Sequence, residues 1–269
     1  MTAVALTVAG SDPSGGAGIQ ADLKTFSALG VYGTAVLTAL TAQNTRGVTG
    51  VHPVPAAFVA LQLRTLLDDV EVHATKLGML GTAEVVREVA AVLTERRPGP
   101  VVCDPVMVAT SGDRLIDENA VAAVRDELLP LADLITPNVP EAAALLGVAP
   151  ATDVDTLADQ AVALLALGPG AVLLKGGHLG GEDSVDVLAS AKGVDVTRRP
   201  RVATNATHGT GCTLSSAIAA LAAQSPGAAW PVLVEGARDY LQRALEAGAG
   251  LGVGSGHGPV HHFAGIWPD

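Results

Sequence analysis

The sequence predicts an α/β fold of three layers, a doubly wound and mostly parallel sheet with helices on both faces. Three observations predict it. Short apolar runs alternate with helical patterns along most of the 269 residues, which is the rhythm of repeated strand–helix–strand units. Hydrophobic residues make up 49% and aromatic residues 3%, so a sizeable core must be built from Ala, Val and Leu. No linker-like stretch breaks the alternation, and residues 1–269 are expected to form a single domain.

The elements follow in order. Residues 4–8 are an apolar run ending at Ala9-Gly10, a buried strand by composition. The turn-rich loop Ser11-Asp12-Pro13-Ser14-Gly15-Gly16-Ala17-Gly18 comes next. Ile19, Leu23 and Phe26 then recur at helical spacing as far as Gly30. A strand over residues 35–41 leads into Gln43-Asn44-Thr45. Pro55 opens a helix carrying Val59, Leu63 and Leu66. Lys76-Leu77-Gly78-Met79-Leu80-Gly81 reads as a strand end, after which Thr82 caps a helix with Val85, Val89 and Val92 on one face. Strands at 101–103 and 134–136 end in Asp104-Pro105-Val106-Met107 and Pro137-Asn138-Val139-Pro140-Glu141. Between them Asp117 precedes a helix with Val121, Val124 and Leu128. A helix over 153–167 and a strand over 171–174 follow, the latter ending in Lys175-Gly176-Gly177-His178. Residues 184–188 and 194–197 read as a hairpin, and a last helix lies near 230–247. There is no internal repeat.

Charge excludes whole classes of function. Sixteen Lys and Arg against 27 Asp and Glu give a net charge of −11. Basic residues cluster only at Arg96-Arg97 and Arg198-Arg199-Pro200-Arg201, so nucleic acid is not expected as a partner. No apolar stretch has the length of a membrane span, and no basic segment precedes an apolar one at the start. A soluble, cytoplasmic protein is expected. The two cysteines, Cys103 and Cys212, suggest neither a disulfide nor a cysteine metal site. Any anion must be bound by backbone amides and a few placed cations.

One stretch organises the rest: Asn205-Ala206-Thr207-His208-Gly209-Thr210-Gly211-Cys212-Thr213. An Ala-rich apolar run follows it, so a loop turns into a helix here. Glycines let backbone N–H groups face outward. The first N–H groups of a helix have no internal acceptor and sit at the positive end of its dipole. Gly209, Thr210, Gly211 and Cys212 therefore read as an anion hole, with Cys212 in the first turn. The competing reading is a helix opened by small residues, with Cys212 as a packed apolar group. A helix N-terminus lowers a thiol pKa, so a partly ionised Cys212 is expected.

Gln43, Asp104, Asn138, Glu141, Lys175 and this central loop all follow strands. In a parallel sheet those ends share one edge, where ligands bind. Alternatives stand beside several of them. Asn138-x-x-Glu141 is also a capping box, Asp104 before Pro105 also starts a turn, and Asp22 is also a solvated helix charge. Met79 and Val106 are packing residues or an apolar pocket wall. His208, His261 and His262 read as structural. Gly16-Ala17-Gly18-Ile19-Gln20-Ala21 fits a dinucleotide pattern, but the first glycine stands too far from the strand. The set as a whole points to phosphoryl transfer. No P-loop motif is present.

These segments, together with Thr41-Ala42-Gln43-Asn44-Thr45 and Gly258-Pro259-Val260-His261-His262-Phe263, closely resemble the hydroxymethylpyrimidine/phosphomethylpyrimidine kinases of the ribokinase-like superfamily. The resemblance runs from residue 9 to residue 263. It implies ATP-dependent phosphorylation, with Mg²⁺, of 4-amino-5-hydroxymethyl-2-methylpyrimidine and then of its monophosphate, in thiamine biosynthesis. It implies that Gln43 binds the aminopyrimidine and that Ala17, Asp22, Met79 and Val106 line its pocket. Asp104 and Glu141 are implied near Mg²⁺, and Lys175 and Asn138 near the nucleotide phosphates. Cys212 stands where most sugar kinases of the superfamily carry an Asp base. A homodimer is implied by resemblance alone. Pyridoxal or pyridoxine kinase is the neighbouring alternative, and a non-catalytic sensor of a thiamine precursor is one from another class.

Overall fold

The computed structural model describes residues 2–107, 117–177 and 179–267. His178, the last residue of the Lys175-Gly176-Gly177-His178 segment, lies outside the described residues. The strands are β1 (Val4–Ala9), β2 (Tyr32–Leu37), β3 (Ala39–Asn44), β4 (Gly47–Pro53), β5 (Ala74–Leu77), β6 (Val101–Cys103), β7 (Leu134–Ile135), β8 (Ala171–Lys175), β9 (Asp183–Ser190) and β10 (Gly193–Pro200). The helices are α1 (Gly18–Ala28), α2 (Ala56–Leu67), α3 (Ala83–Glu95), α4 (Glu118–Ala123), α5 (Val139–Leu146), α6 (Val154–Leu165), α7 (Thr210–Gln224) and α8 (Trp230–Gly248).

Eight strands form one sheet in the order β10-β9-β8-β7-β6-β5-β1-β2. The β2, β1, β5, β6, β7 and β8 pairings are parallel, while β9 and β10 are an antiparallel edge hairpin. Successive side chains of a strand point to opposite faces, and both faces are covered. Leu6, Val8, Val101, Cys103, Val172 and Leu174 pack with α2, α3, α5 and α6, whereas Ala5, Val102, Ala171 and Leu173 pack with α1, α7 and α8. The three-layer, doubly wound expectation is met, including the hairpin at the edge.

Local signals set the helix starts. Thr82, Asp117 and Asp153 each accept an N–H of the first turn of α3, α4 and α6. Gly30 and Gly147 adopt positive φ after α1 and α5, which only glycine does without strain.

One strand expectation is corrected. Residues 35–41 do not form a single strand. The chain leaves the sheet at Thr38 and enters β3, which pairs antiparallel with β4 in a separate two-stranded ribbon. Gln43 thus lies on this ribbon, not at the end of a sheet strand. The register shifts at Ala42/Gln43, a bulge of the kind that re-aims a side chain.

β1 pairs with β2 on one side and β5 on the other, so the winding reverses there. In doubly wound sheets, ligands bind beyond the strand ends at that reversal.

Candidate active site

An open cleft of about 990 Å³ lies over the C-terminal ends of β1, β5, β6 and β8. Ala17, Gln43, Met79 and Val106 line one part of it. Asp104, Asn138, Glu141 and Lys175 line another, and Gly209, Thr210, Gly211 and Cys212 close it from the side. Of the site residues expected from sequence, all but Asp22 border this single space.

The first turn of α7 is built as the sequence suggests. Gly209 caps it in the left-handed region, φ 78°, with no side-chain hydrogen bond. Its carbonyl accepts the Thr213 N–H at 2.8 Å, so the amides ahead of Thr213 have no intrahelical acceptor. A Cβ on Gly211 would stand 3.3 Å from both Asp104 Oδ2 and Lys175 Nζ. The glycine leaves that space between the amides and the ammonium free of a side chain.

Lys175 donates to Asp104 Oδ1 at 2.8 Å. Burial opposes the lysine charge, but Asp104 and Glu141 outweigh it and its pKa is raised. Thr136 also donates to Asp104, at 3.1 Å. Asn138 and Glu141 form the full capping box: the Asn138 side chain accepts the Glu141 N–H, and Glu141 accepts the Asn138 N–H. The capping reading therefore holds, and Glu141 still borders the cleft. Burial first, and Asp104 after it, push the Glu141 carboxyl up to about 7 against the pull of Lys175.

Asp22 is a correction. It is neither solvated nor part of the cleft wall but fully buried. Both its oxygens accept from Lys76 Nζ, at 2.9 and 2.8 Å, and it also accepts from Thr7 Oγ1 and Ser216 Oγ at 2.6 Å each. Lys76 itself reaches the cleft lining. Asp22 thus acts from beneath the pocket floor, by fixing an ammonium.

The expected acidity of Cys212 is a second correction. Burial raises its thiol to about 11, with Asp22 and Asp104 adding to it and Lys76 and the Gly18 N–H opposing it. Burial and the two carboxylates outweigh Lys76 and the Gly18 N–H. Cys212 is a neutral thiol near pH 7.

Sequence reading gave Asp12 no role and took His208 as structural; the structure brings the two together. Asp12 accepts the Ser14, Gly16 and Ala17 N–H groups and the Ser14 hydroxyl. His208 Nε2 meets the same carboxylate at 2.7 Å. The Asp-x-Ser spacing is an Asx-turn signal that marks Asp12. No sequence signal marks His208. His262 behaves as the structural residue expected: it is buried against the Thr213 hydroxyl, and burial lowers it to about 3.

A glycine-opened helix start, facing a lysine and two buried carboxylates across the switch point of this sheet, fits a phosphotransferase of the ribokinase-like class. Comparison with known proteins gives the family. Residues 12–261 match the phosphomethylpyrimidine kinase family model. The hydroxymethylpyrimidine/phosphomethylpyrimidine kinase of Escherichia coli K12 is 52% identical over 263 residues, covering 98% of each chain. Among solved structures, Bacillus subtilis pyridoxal kinase in an ADP complex superposes with a TM-score of 0.90 at 36% identity, covering 98% of each chain. The phosphomethylpyrimidine kinase of Clostridium difficile 630 gives 0.79 at 41% identity, covering 90% of this chain and 98% of that one. The chain belongs to the phosphomethylpyrimidine kinase family, and it is a kinase. Among the described residues, no helix is long and apolar enough to cross a membrane.

Proposed function

We propose that the chain transfers the γ-phosphoryl group of ATP to the hydroxymethyl oxygen of 4-amino-5-hydroxymethyl-2-methylpyrimidine. The resulting monophosphate is then phosphorylated in the same cleft to the diphosphate, in thiamine biosynthesis. One observation carries the reading: Gln43, a neutral amide suited to an aminopyrimidine, shares one cleft with the Gly211–Lys175 anion space. The ADP complex of the related pyridoxal kinase supports ATP as the phosphoryl donor.

Each residue has a part. Gln43 hydrogen-bonds the ring, and Ala17, Met79 and Val106 supply apolar walls. Lys175 and the amides of Gly209, Thr210, Gly211 and Cys212 bind phosphate oxygens and neutralise charge that grows on them. Asn138 holds the start of α5 so that Glu141 stays at the cleft. In the first transfer the acceptor oxygen bonds to the γ-phosphorus, the bond to the departing ADP breaks with its electron pair, and the hydroxyl proton goes to the Cys212 sulfur. A thiol at about 11 supplies that base only as a minor thiolate population. Phosphoryl transfer depends chiefly on positioning and electrostatics, so the demand on a base is modest.

The site also suits Mg²⁺. Two buried carboxyl groups, Asp104 and Glu141, face one lysine, and Glu141 is pushed toward neutrality by burial first and by Asp104 after it. Among the described residues, no group of three or more His, Cys, Asp or Glu stands ready to hold a metal alone. That fits an ion held by one or two carboxylates and completed by phosphate oxygens and water. Asp104 and Glu141 would hold it, and it would supply charge neutralisation to the phosphates.

The proposal includes a single kinase domain over residues 1–269, a homodimer by family resemblance, a cytoplasmic location, and no nucleic-acid or membrane partner. The likeness to pyridoxal kinase favours one second reading, pyridoxal as an acceptor. ADP release from Mg-ATP, with the pyrimidine and pyridoxal offered separately, decides between them. Faster turnover of the pyrimidine is expected; turnover of pyridoxal alone would overturn the assignment of Gln43.

A further inference from the structure

Asp12 and His208 stand 196 residues apart in sequence and meet at 2.7 Å. They are 1% and 5% exposed. Burial opposes the Asp12 charge, but His208, Ser14 and the Ala17 N–H outweigh it and hold the carboxyl at about 2. An ionised carboxylate only accepts, so His208 Nε2 carries the proton and donates. The same Asp12 oxygen, Oδ2, accepts the Gly16 and Ala17 N–H groups at 3.1 and 2.8 Å. It therefore fixes the residues that open α1, with Ala17 as its N-cap.

His208 is the residue before the Gly209 cap, and its own N–H donates to Gly258 O at 3.0 Å. The two loops leave no slack. A Cβ on Gly209 would lie 1.7 Å from Gly16 O, and one on Gly16 would lie 2.3 Å from the His208 ring. One carboxylate thus ties the wall residue Ala17 to the start of the anion hole.

We propose that His208 and Asp12 form a positioning latch that sets the distance between the acceptor pocket and the anion hole for both phosphoryl transfers. The proposal rests on reading Gly209, Thr210, Gly211 and Cys212 as that anion hole. Both latch residues border the cleft, and the role given to them is positional. Both act through the loops they join.

The test is kcat and KM for each half-reaction in His208→Ala and His208→Gln, normalised to folded protein by circular dichroism. A misplacement of about 1 Å costs about a hundredfold in rate. His208→Ala should lose between about tenfold and a hundredfold in kcat in both steps, with KM for ATP and pyrimidine changed by less than about threefold. His208→Gln, whose amide nitrogen can reach the Nε2 position, should recover most of the loss. Wild-type kcat in His208→Ala, with only a lower Tm, overturns the latch. Should His208→Ala not fold, His208→Asn takes its place; its shorter amide should leave kcat well below that of His208→Gln, and equal values overturn the latch. Gly211→Ala separates the two readings. Full activity there removes the anion hole and the latch with it, whereas loss there beside intact kcat in His208→Ala removes the latch alone.

Discussion

Ser215 and Ser216 stand side by side on α7 and tie it to two different lysine–aspartate pairs. Ser215 Oγ lies 3.4 Å from Asp104, which pairs with Lys175. Ser216 Oγ donates at 2.6 Å to Asp22, which pairs with Lys76. Both pairs reach the cleft lining, the first through both residues and the second through Lys76 alone, and both side chains of the second are at 0% exposure. Cys212 lies one turn before Ser216, on the same face of the helix. The first turns of α7 are therefore tied to two carboxylates, each of which holds a lysine.

The sealed pair is expected to matter for stability first. Removing one partner of a buried ion pair costs about 3–5 kcal/mol, because the other charge is left without water or counterion. Lys76→Met should lose that much in chemical denaturation. Lys76→Met combined with Asp22→Asn should lose clearly less, since neither charge remains. Equal losses in the two variants would show that packing, not charge, dominates at this position.

Cys212→Ala is expected to lower the first half-reaction about tenfold and the second by less than about threefold. Only the first acceptor is a hydroxyl that must lose a proton, and a base whose pKa lies far above the working pH contributes less than the usual range of about a hundredfold or more. Separate assays with the pyrimidine and its monophosphate read this directly. Equal losses in both steps contradict the role given to the sulfur.

Glu141 sets a pH dependence of stability. Its carboxyl is raised from 4.5 to about 7 by burial, so the folded state binds a proton that the unfolded state has already released. Stability therefore falls as pH rises from about 4.5 to about 7 and levels off above that. The expected loss is on the order of 1–3 kcal/mol. Glu141→Gln keeps an oxygen for the Asn138 N–H and should flatten this part of the profile. An unchanged slope in Glu141→Gln would assign the dependence to other groups.

Gln43→Ala should raise KM for the pyrimidine by at least about tenfold and leave KM for ATP within about twofold, a loss of about 1.4 kcal/mol or more at the ring. Steady-state kinetics with each substrate varied in turn checks this. A shared effect on both constants would place Gln43 outside the ring contact.

Much of the fold was legible because burial on both faces of a parallel sheet leaves continuous apolar runs such as those at β1, β6 and β8. The β3–β4 ribbon was not. Gly47, Gly50 and Pro53 break the alternation of β4, and most of its residues are exposed, so no apolar pattern marks it. That Lys175 and the glycines of the α7 start border one cleft was legible, because they are locally odd choices for their positions. The place of Asp22 was less so. Asp22 lies between Ile19 and Phe26 on the buried stripe of α1, which argues against a solvated charge. Its partner Lys76, however, sits in a different strand that only the fold brings near. The thiol of Cys212 was misread for a related reason. A helix start is visible in sequence, whereas the burial that raises the thiol is a tertiary property.

The most direct test of the account is the mass of the product formed from 4-amino-5-hydroxymethyl-2-methylpyrimidine with excess Mg-ATP and the purified chain alone. The account predicts a monophosphate that rises first and then converts to the diphosphate. A product that stops at the monophosphate, or an absence of any phosphate addition while ATP is bound, would contradict the claim that one cleft performs both transfers.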